Sequence, residues 1–128
     1  MNLGLSDDQQ FFLDTTRRFL TAETPIATVR AIAEQPDGFD RTWWKRGAEL
    51  GWTSMLVSEA DGGGSVSGEG ALDLVIVAEE FGRTVAPGPF LPVNLVAFAL
   101  GTDGSAEQKA GVLAGLLSGD GIAAWACW

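Results

Sequence analysis

Histidine and tyrosine are absent from the 128 residues, and cysteine occurs once. Without histidine there is no Ser/His/Asp or Cys/His triad, most zinc sites are excluded, and the commonest general base is missing. Any acid–base chemistry then falls to a carboxylate, a cofactor or sequence outside this chain. The lone thiol of Cys127 cannot close an internal disulfide, and among apolar neighbours it reads as a small hydrophobe. Cations are scarce as well: 8 Lys+Arg stand against 17 Asp+Glu, a formal charge of -9. That charge repels phosphate backbones and anionic lipid, so neither nucleic acid nor membrane is expected as a partner. Long hydrophobic runs are also missing. Asp73, Glu79 and Glu80 interrupt or bound the best stretch, which falls short of the roughly 20 residues needed to cross a bilayer. The first residues carry neither the basic segment nor the apolar stretch of a secretory signal, and the default expectation is a cytoplasmic protein.

What is present is 46% apolar sequence, enough for one domain with a single core. Ser6 with Gln9 three residues later forms a capping-box pattern, and Phe12, Thr16 and Phe19 recur at helical spacing, predicting a helix from about Asp7 to Ala22. Thr24 reads as the cap of a second helix with Pro25 at its first position. Asp40 reads as the cap of a third, with Phe39 and Trp44 placed for a hydrophobic staple, and Gly51 is a natural left-handed stop. The stretch from Trp52 to Gly70 holds Gly62-Gly63-Gly64 and is too rich in glycine for helix, while Met55-Leu56-Val57 is expected to anchor it to the core. Residues Glu69 to Phe81 are helical again and apolar on nearly all sides, the pattern of a central buried helix. After the rigid turn Ala86-Pro87-Gly88-Pro89 comes a short apolar helix, Leu91 to Leu100, interrupted only by Asn94. Ser105 with Gln108 opens a sixth helix. The last segment, from Ile122 on, has no cap and follows a tight turn, which predicts the start of a β-strand in a chain that continues. The expected fold is therefore all-α, an orthogonal bundle of about six helices over residues 1–121, with residues 122–128 beginning a β-domain.

The order of these signals resembles one family. Leu5-Ser6-Asp7-Asp8-Gln9, Phe39-Asp40-Arg41 and Ala48-Glu49-Leu50-Gly51-Trp52 are similar to the opening of acyl-CoA dehydrogenases. Val57-Ser58-Glu59-Ala60-Asp61-Gly62-Gly63 resembles their Val-Pro-Glu-Glu-Tyr-Gly-Gly segment, and Val77 to Arg83 resembles their Ala-Glu-Glu-Leu-Gly-Arg helix end. Gly104 to Lys109 matches the start of a later helix, and Ala86 to Pro92 is similar to a turn found in bacterial members. The resemblance runs along essentially the whole chain.

It implies the N-terminal helical domain of a three-domain subunit that oxidises an acyl-CoA thioester at the α,β bond. A Glu removes the α-proton and FAD accepts the β-hydride, and both belong to domains outside these residues. Trp125, Cys127 and Trp128 are implied to lie nearest the flavin, although Trp128 stands where the family has Thr or Ala. Val93, Asn94, Val96 and Ala97 are implied to line the acyl pocket, where their small and branched side chains would leave room for a bulky acyl group. The implied partners are acyl-CoA, the remaining domains or a homologous subunit, and an oligomer. Catalytic and metal-ligating residues are expected to be absent from this stretch, and the chain alone is expected to be inactive. Two alternatives share the fold: a non-catalytic interaction subunit of a heteromeric dehydrogenase, and a flavin monooxygenase or nitroalkane oxidase.

Each candidate also has a plain structural reading. The Gly62 to Gly64 loop has free amides that could cradle an anion, but lacks a recognised phosphate-binding pattern and reads as a surface loop. Glu79 and Glu80 read as a solvated face with a salt link to Arg83 rather than an acid pair. Trp43, Trp44 and Trp52 read as core. Asn94 reads as a satisfied interior hydrogen bond more readily than as a substrate contact.

Overall fold

Ser6 and Gln9 do close a capping box. The Gln9 amide donates to Ser6 Oγ at 3.2 Å, and the Ser6 amide donates to Gln9 Oε1 at 3.0 Å. They start helix α1, Asp7–Glu23, in a computed structural model that describes residues 4–126. The second helix, α2 (Ile26–Ala33), begins one residue later than the sequence suggested, with Pro25 itself in the cap position. The Thr24 hydroxyl is spent backwards, donating to the Leu20 carbonyl at 2.6 Å and closing the end of α1. Asp40 caps α3, Arg41–Glu49, by accepting the Trp43 amide at 2.8 Å. Gly51 then turns the chain at φ +99°, a conformation that costs glycine least.

The long loop from Trp52 contains one short helical turn, Glu59–Asp61, and leads into α4, Gly70–Thr84. Met55 and Val57 are buried in the loop's lead-in, as expected of an anchor. After the proline turn, α5 covers Phe90–Asp103. The last helix, α6, occupies residues 106–118, starts with the Ser105/Gln108 capping box and contains a π turn at Lys109–Leu113. The described residues thus hold six helices and no strand.

The core is built on rings. Trp52 meets Phe19 of α1 edge-on at 5.3 Å and Phe81 of α4 at 4.9 Å, and Phe81 stacks on Phe90 of α5 at 4.7 Å. Trp43 and Trp44 of α3 are buried beside them. Aromatic pairs of this kind add about 0.5–1.5 kcal/mol each beyond their buried area. The close fit fixes neighbouring residues: a Cβ on Gly47 would sit 2.1 Å from the Trp52 ring, so only glycine fits there. The three tryptophans expected in the core are all in it.

α1 and α4 share the longest helix–helix seam. Gln9 meets Asp73 near the start of both helices, and Arg17 meets Glu80 further along both, so the two run parallel. Two expectations need correction. α4 is not covered on nearly all sides: α1 and the core take the stripe Asp73, Ile76, Val77, Glu80 and Phe81, while Leu72 and Val75 remain exposed. Residues 121–126 form neither the predicted strand nor a seventh helix. A strand needs a neighbour to pair its amides, and the first of these residues, Gly121, donates its amide to Gly115 of α6 at 2.8 Å.

Candidate functional site

The residues that the resemblance assigns to the acyl pocket lie on α5, and the structure places most of that set inward. Val93, Asn94 and Ala97 have no solvent exposure, and Val96 is half-buried. Asn94 Nδ2 donates to the Trp52 carbonyl at 2.8 Å and to the Phe90 carbonyl at 2.9 Å, tying α5 to the start of the long loop. The amide nitrogen is thus satisfied in the interior, while the buried Asn94 Oδ1 has no hydrogen-bond partner among the described residues. The outward row of α5 is instead Leu91, Leu95 and Phe98, each about half exposed. Spacing alone could not separate these two faces, because α5 is apolar all round.

Beside Leu91 the turn between α4 and α5 forms an apolar crevice of about 300 Å³. Small residues, Ala78 and Gly82 of α4 and Ala86 and Gly88 of the turn, make its walls, with the stacked pair Phe81 and Phe90 behind them. No charged side chain lines it. A Cβ added at Gly82 would meet nothing within 4 Å, so the opening there is real space. Pockets that hold drug-sized ligands begin at about 300 Å³, and this one is at that lower limit.

Two carboxylates that sequence reasoning left at the surface or passed over are buried on the α1-facing stripe of α4. Glu80 is 2% exposed and receives both arms of Arg17, Nε to Oε2 at 3.1 Å and the terminal nitrogen to Oε1 at 2.7 Å. Arg83 adds a longer contact of 3.3 Å to Oε1. The Arg17 hydrogen bonds hold the Glu80 carboxyl below the usual glutamate range, against the opposing effect of burial. The expected link to Arg83 exists, and Glu79 is exposed, but Glu80 is not part of a solvated face.

Asp73 has no exposure and no ion-pair partner among the described residues. Burial alone would raise its pKa. Hydrogen bonds from the Ser65 and Ser67 hydroxyls, the Ser67 amide and Gln9 nevertheless keep it below the usual aspartate range. The available signal was positional: 73 and 80 fall on the same helical stripe as Ile76, Val77 and Phe81. A carboxylate on a buried stripe must be satisfied by donors from the segments packed against it.

The glycine loop is no anion cradle. The amides of Gly62, Gly63 and Gly64 donate to Glu59, Ser58 and Ser54 carbonyls at 3.1, 2.9 and 3.0 Å, so the donors are already spent. Lys109 Nζ reaches across to Asp61 Oδ2 at 3.0 Å and holds the loop against α6.

Of the three residues implied to lie nearest a flavin, Trp125 is described and is 66% exposed, while Cys127 and Trp128 lie outside the described residues. A single solvent-facing indole, with the loop amides committed elsewhere, does not make a flavin site. From the implied flavin-facing set the described residues offer Trp125 alone. They also contain no group of histidine, cysteine or carboxylate side chains suited to a metal, and no helix long and apolar enough to cross a membrane.

Comparison with known proteins gives this arrangement its relatives. The acyl-CoA dehydrogenase N-terminal domain family matches residues 6–120. Among solved structures, the ChsE4-ChsE5 complex from Mycobacterium tuberculosis is 28% identical with a TM-score of 0.79, over 94% of this chain and 32% of that one. A variant of the Tcur3481-Tcur3483 steroid ACAD is 29% identical with a TM-score of 0.76, over 88% of this chain and 30% of that one. This chain thus spans about a third of the length of the solved relatives it matches. No curated protein sequence matches it. With the family match extending over all six described helices, the chain belongs to the acyl-CoA dehydrogenase family as an N-terminal helical domain.

Proposed function

We propose that this chain forms the helical wall of a flavin-dependent acyl-CoA dehydrogenase and that the α4–α5 corner faces the acyl group. The observation that carries this is an apolar, uncharged crevice at the corner of a domain of this family, continued by the outward row Leu91, Leu95 and Phe98. In this reading the catalytic base and the FAD come from the other domains or from a homologous subunit, and the chain alone does not turn over. Trp125 is exposed where a flavin-bearing part could meet it. FAD supplies the hydride acceptor when bound. The residues here exclude water from the acyl chain and position it. Of the earlier pocket set, Val96 is the member with a partly open side.

The acyl group proposed is bulky and polycyclic. One similar structure is described as a steroid ACAD, and a corner walled by alanine and glycine suits a wide, flat group better than a crevice filled with large side chains would. The similarity to the ChsE4-ChsE5 complex favours a homologous partner subunit over a free-standing chain.

The test uses the full-length enzyme with any partner subunit. Gly82→Leu, whose Cβ meets no protein atom within 4 Å, narrows the crevice and should raise KM at least about tenfold for a steroid acyl-CoA, a loss of about 1.4 kcal/mol in binding. A short-chain acyl-CoA should be little affected. Equal kinetics of wild type and variant on the steroid thioester would remove the corner from the acyl site. Absence of flavin reduction by every acyl-CoA would sink the enzyme reading itself.

A further inference from the structure

α4 ends in a cap of two backbone hydrogen bonds. The Ala86 amide donates to the Phe81 carbonyl at 2.9 Å and the Val85 amide to the Gly82 carbonyl at 3.3 Å. Val85 makes this turn in the left-handed conformation, φ +52° and ψ +40°. The same cap shapes the crevice, because it folds Ala86 back toward Phe81, and Gly82, Ala86 and Gly88 all line the opening. The turn that follows is stiff and pinned. Pro87 and Pro89 restrict its backbone, and a Cβ on Gly88 would lie 3.2 Å from the Trp43 ring and 3.4 Å from that of Trp44. Val85 therefore has a fixed place at the lip of the crevice, in the chain between Gly82 and Ala86 of its walls.

The residue type at that place is the anomaly. Seven glycines take positive φ among the described residues, Gly51 and Gly119 at the ends of α3 and α6, and Val85 is the one other residue that does. A left-handed backbone crowds any Cβ, a branched one most, and glycine avoids that cost. Nothing inside the domain offsets it: the Val85 side chain is 63% exposed and is not part of the core. Strain kept where the local rule would place glycine marks a side chain that acts on something outside the domain.

We propose that Val85 is a rim contact of the acyl site, extending the apolar wall beyond the crevice to touch the part of a bulky acyl group that overhangs the corner. This rests on the acyl reading of the α4–α5 corner and adds to it a residue outside the crevice lining. At about 300 Å³ the crevice is at the lower limit for a drug-sized ligand, so a polycyclic acyl group that fills it reaches the lip. A β-branched side chain on a pinned backbone loses little conformational freedom when it is touched.

Steady-state kinetics of the full-length enzyme, with any partner subunit, on a steroid acyl-CoA test this, with Tm measured alongside. Val85→Thr keeps the branch, the shape and the left-handed strain and replaces one methyl by a hydroxyl. It should raise KM at least about fivefold, with kcat and Tm near those of the wild type. Val85→Gly removes the side chain and the strain together, and should raise KM further while Tm goes up. Wild-type KM in both variants, with Gly82→Leu still raising it, overturns the rim contact and leaves the corner as the acyl site. Wild-type KM in all three removes the corner from the acyl site and the rim contact with it. A parallel fall of kcat and Tm in Val85→Thr also overturns the contact, since the side chain would then be shaping the turn.

Discussion

The two ends of the α1–α4 seam solve the same problem in different ways. Both bury a carboxylate of α4 seven residues apart, Asp73 at the start and Glu80 near the end. Glu80 is neutralised by charge, gripped by Arg17 and approached by Arg83, and those guanidiniums remain about half exposed. Asp73 has neutral donors only, all drawn from a loop and from one glutamine. The arginine end ties helix to helix and can exchange its partner for water if the seam loosens. The serine end ties helix to loop through Ser65 and Ser67, and Gln9 of α1 braces the same carboxylate. The lesson is that a buried charge marks what it organises: an ion pair here sets the register of two helices, and a neutral clasp sets the position of a loop.

Acid attacks both ends at once and should have the largest effect. Each carboxyl is held below its ordinary range, so each contributes stability that is fully present above its unfolded-state pKa and lost as pH falls through the lowered folded-state value. Urea unfolding followed by tryptophan fluorescence should show little change from neutral pH down to about pH 5 and a steep loss below about pH 4. A decline that begins near pH 6 would contradict the sign of both shifts.

Removing one end alone comes next. Asp73→Ala strands the part-buried Ser67 amide and removes an acceptor shared by Ser65, Ser67 and Gln9, and should cost about 2–4 kcal/mol in chemical denaturation. Glu80→Gln retains the shape and one acceptor while Arg17 turns to solvent, and should cost less, about 1–2 kcal/mol. Raising NaCl to about 1 M should shrink the Glu80→Gln difference and leave the Asp73→Ala difference unchanged, since only the former is an ion pair with an exposed partner. The reverse ranking, or equal salt sensitivity, would mean that the two ends are not distinct.

The smallest effect has the opposite sign. Val85 follows α4 in the left-handed conformation at φ +52°, unfavourable for a β-branched side chain, and is also exposed. Val85→Gly should stabilise the chain by about 1 kcal/mol, read as an upward shift in Tm. A destabilised variant would show that the Val85 side chain makes a contact worth more than the strain it relieves.

Much of the fold was legible because its signals are local. Ser6 with Gln9, Asp40 ahead of Trp43, and Ser105 with Gln108 each start a helix through hydrogen bonds within one turn. Gly51 stops one through its own φ. The Thr24–Pro25 junction slipped by one residue because the Thr24 hydroxyl had two local carbonyl and amide options, and the Leu20 carbonyl took it. The site was less legible. On α5 apolar residues surround the axis, so the pattern carried no direction, and Val93, Asn94 and Ala97 turned inward while Leu91, Leu95 and Phe98 turned outward. Glu80 looked like half of a solvated pair because its charge is visible in sequence and Arg17, 63 residues away, is not recognisably its partner.

The sequence by itself determined the class and number of the helices, their caps and stops, the tryptophan core and the family kinship, since each rests on interactions between residues close along the chain or on motif order. Only the tertiary structure decided which face of α5 is free, that α1 runs parallel to α4, and that Asp73 and Glu80 are interior. Those depend on which distant segments meet, and a pairing such as Gln9 with Asp73 or Arg17 with Glu80 is selected by the packing of the whole core, not by either residue's neighbours.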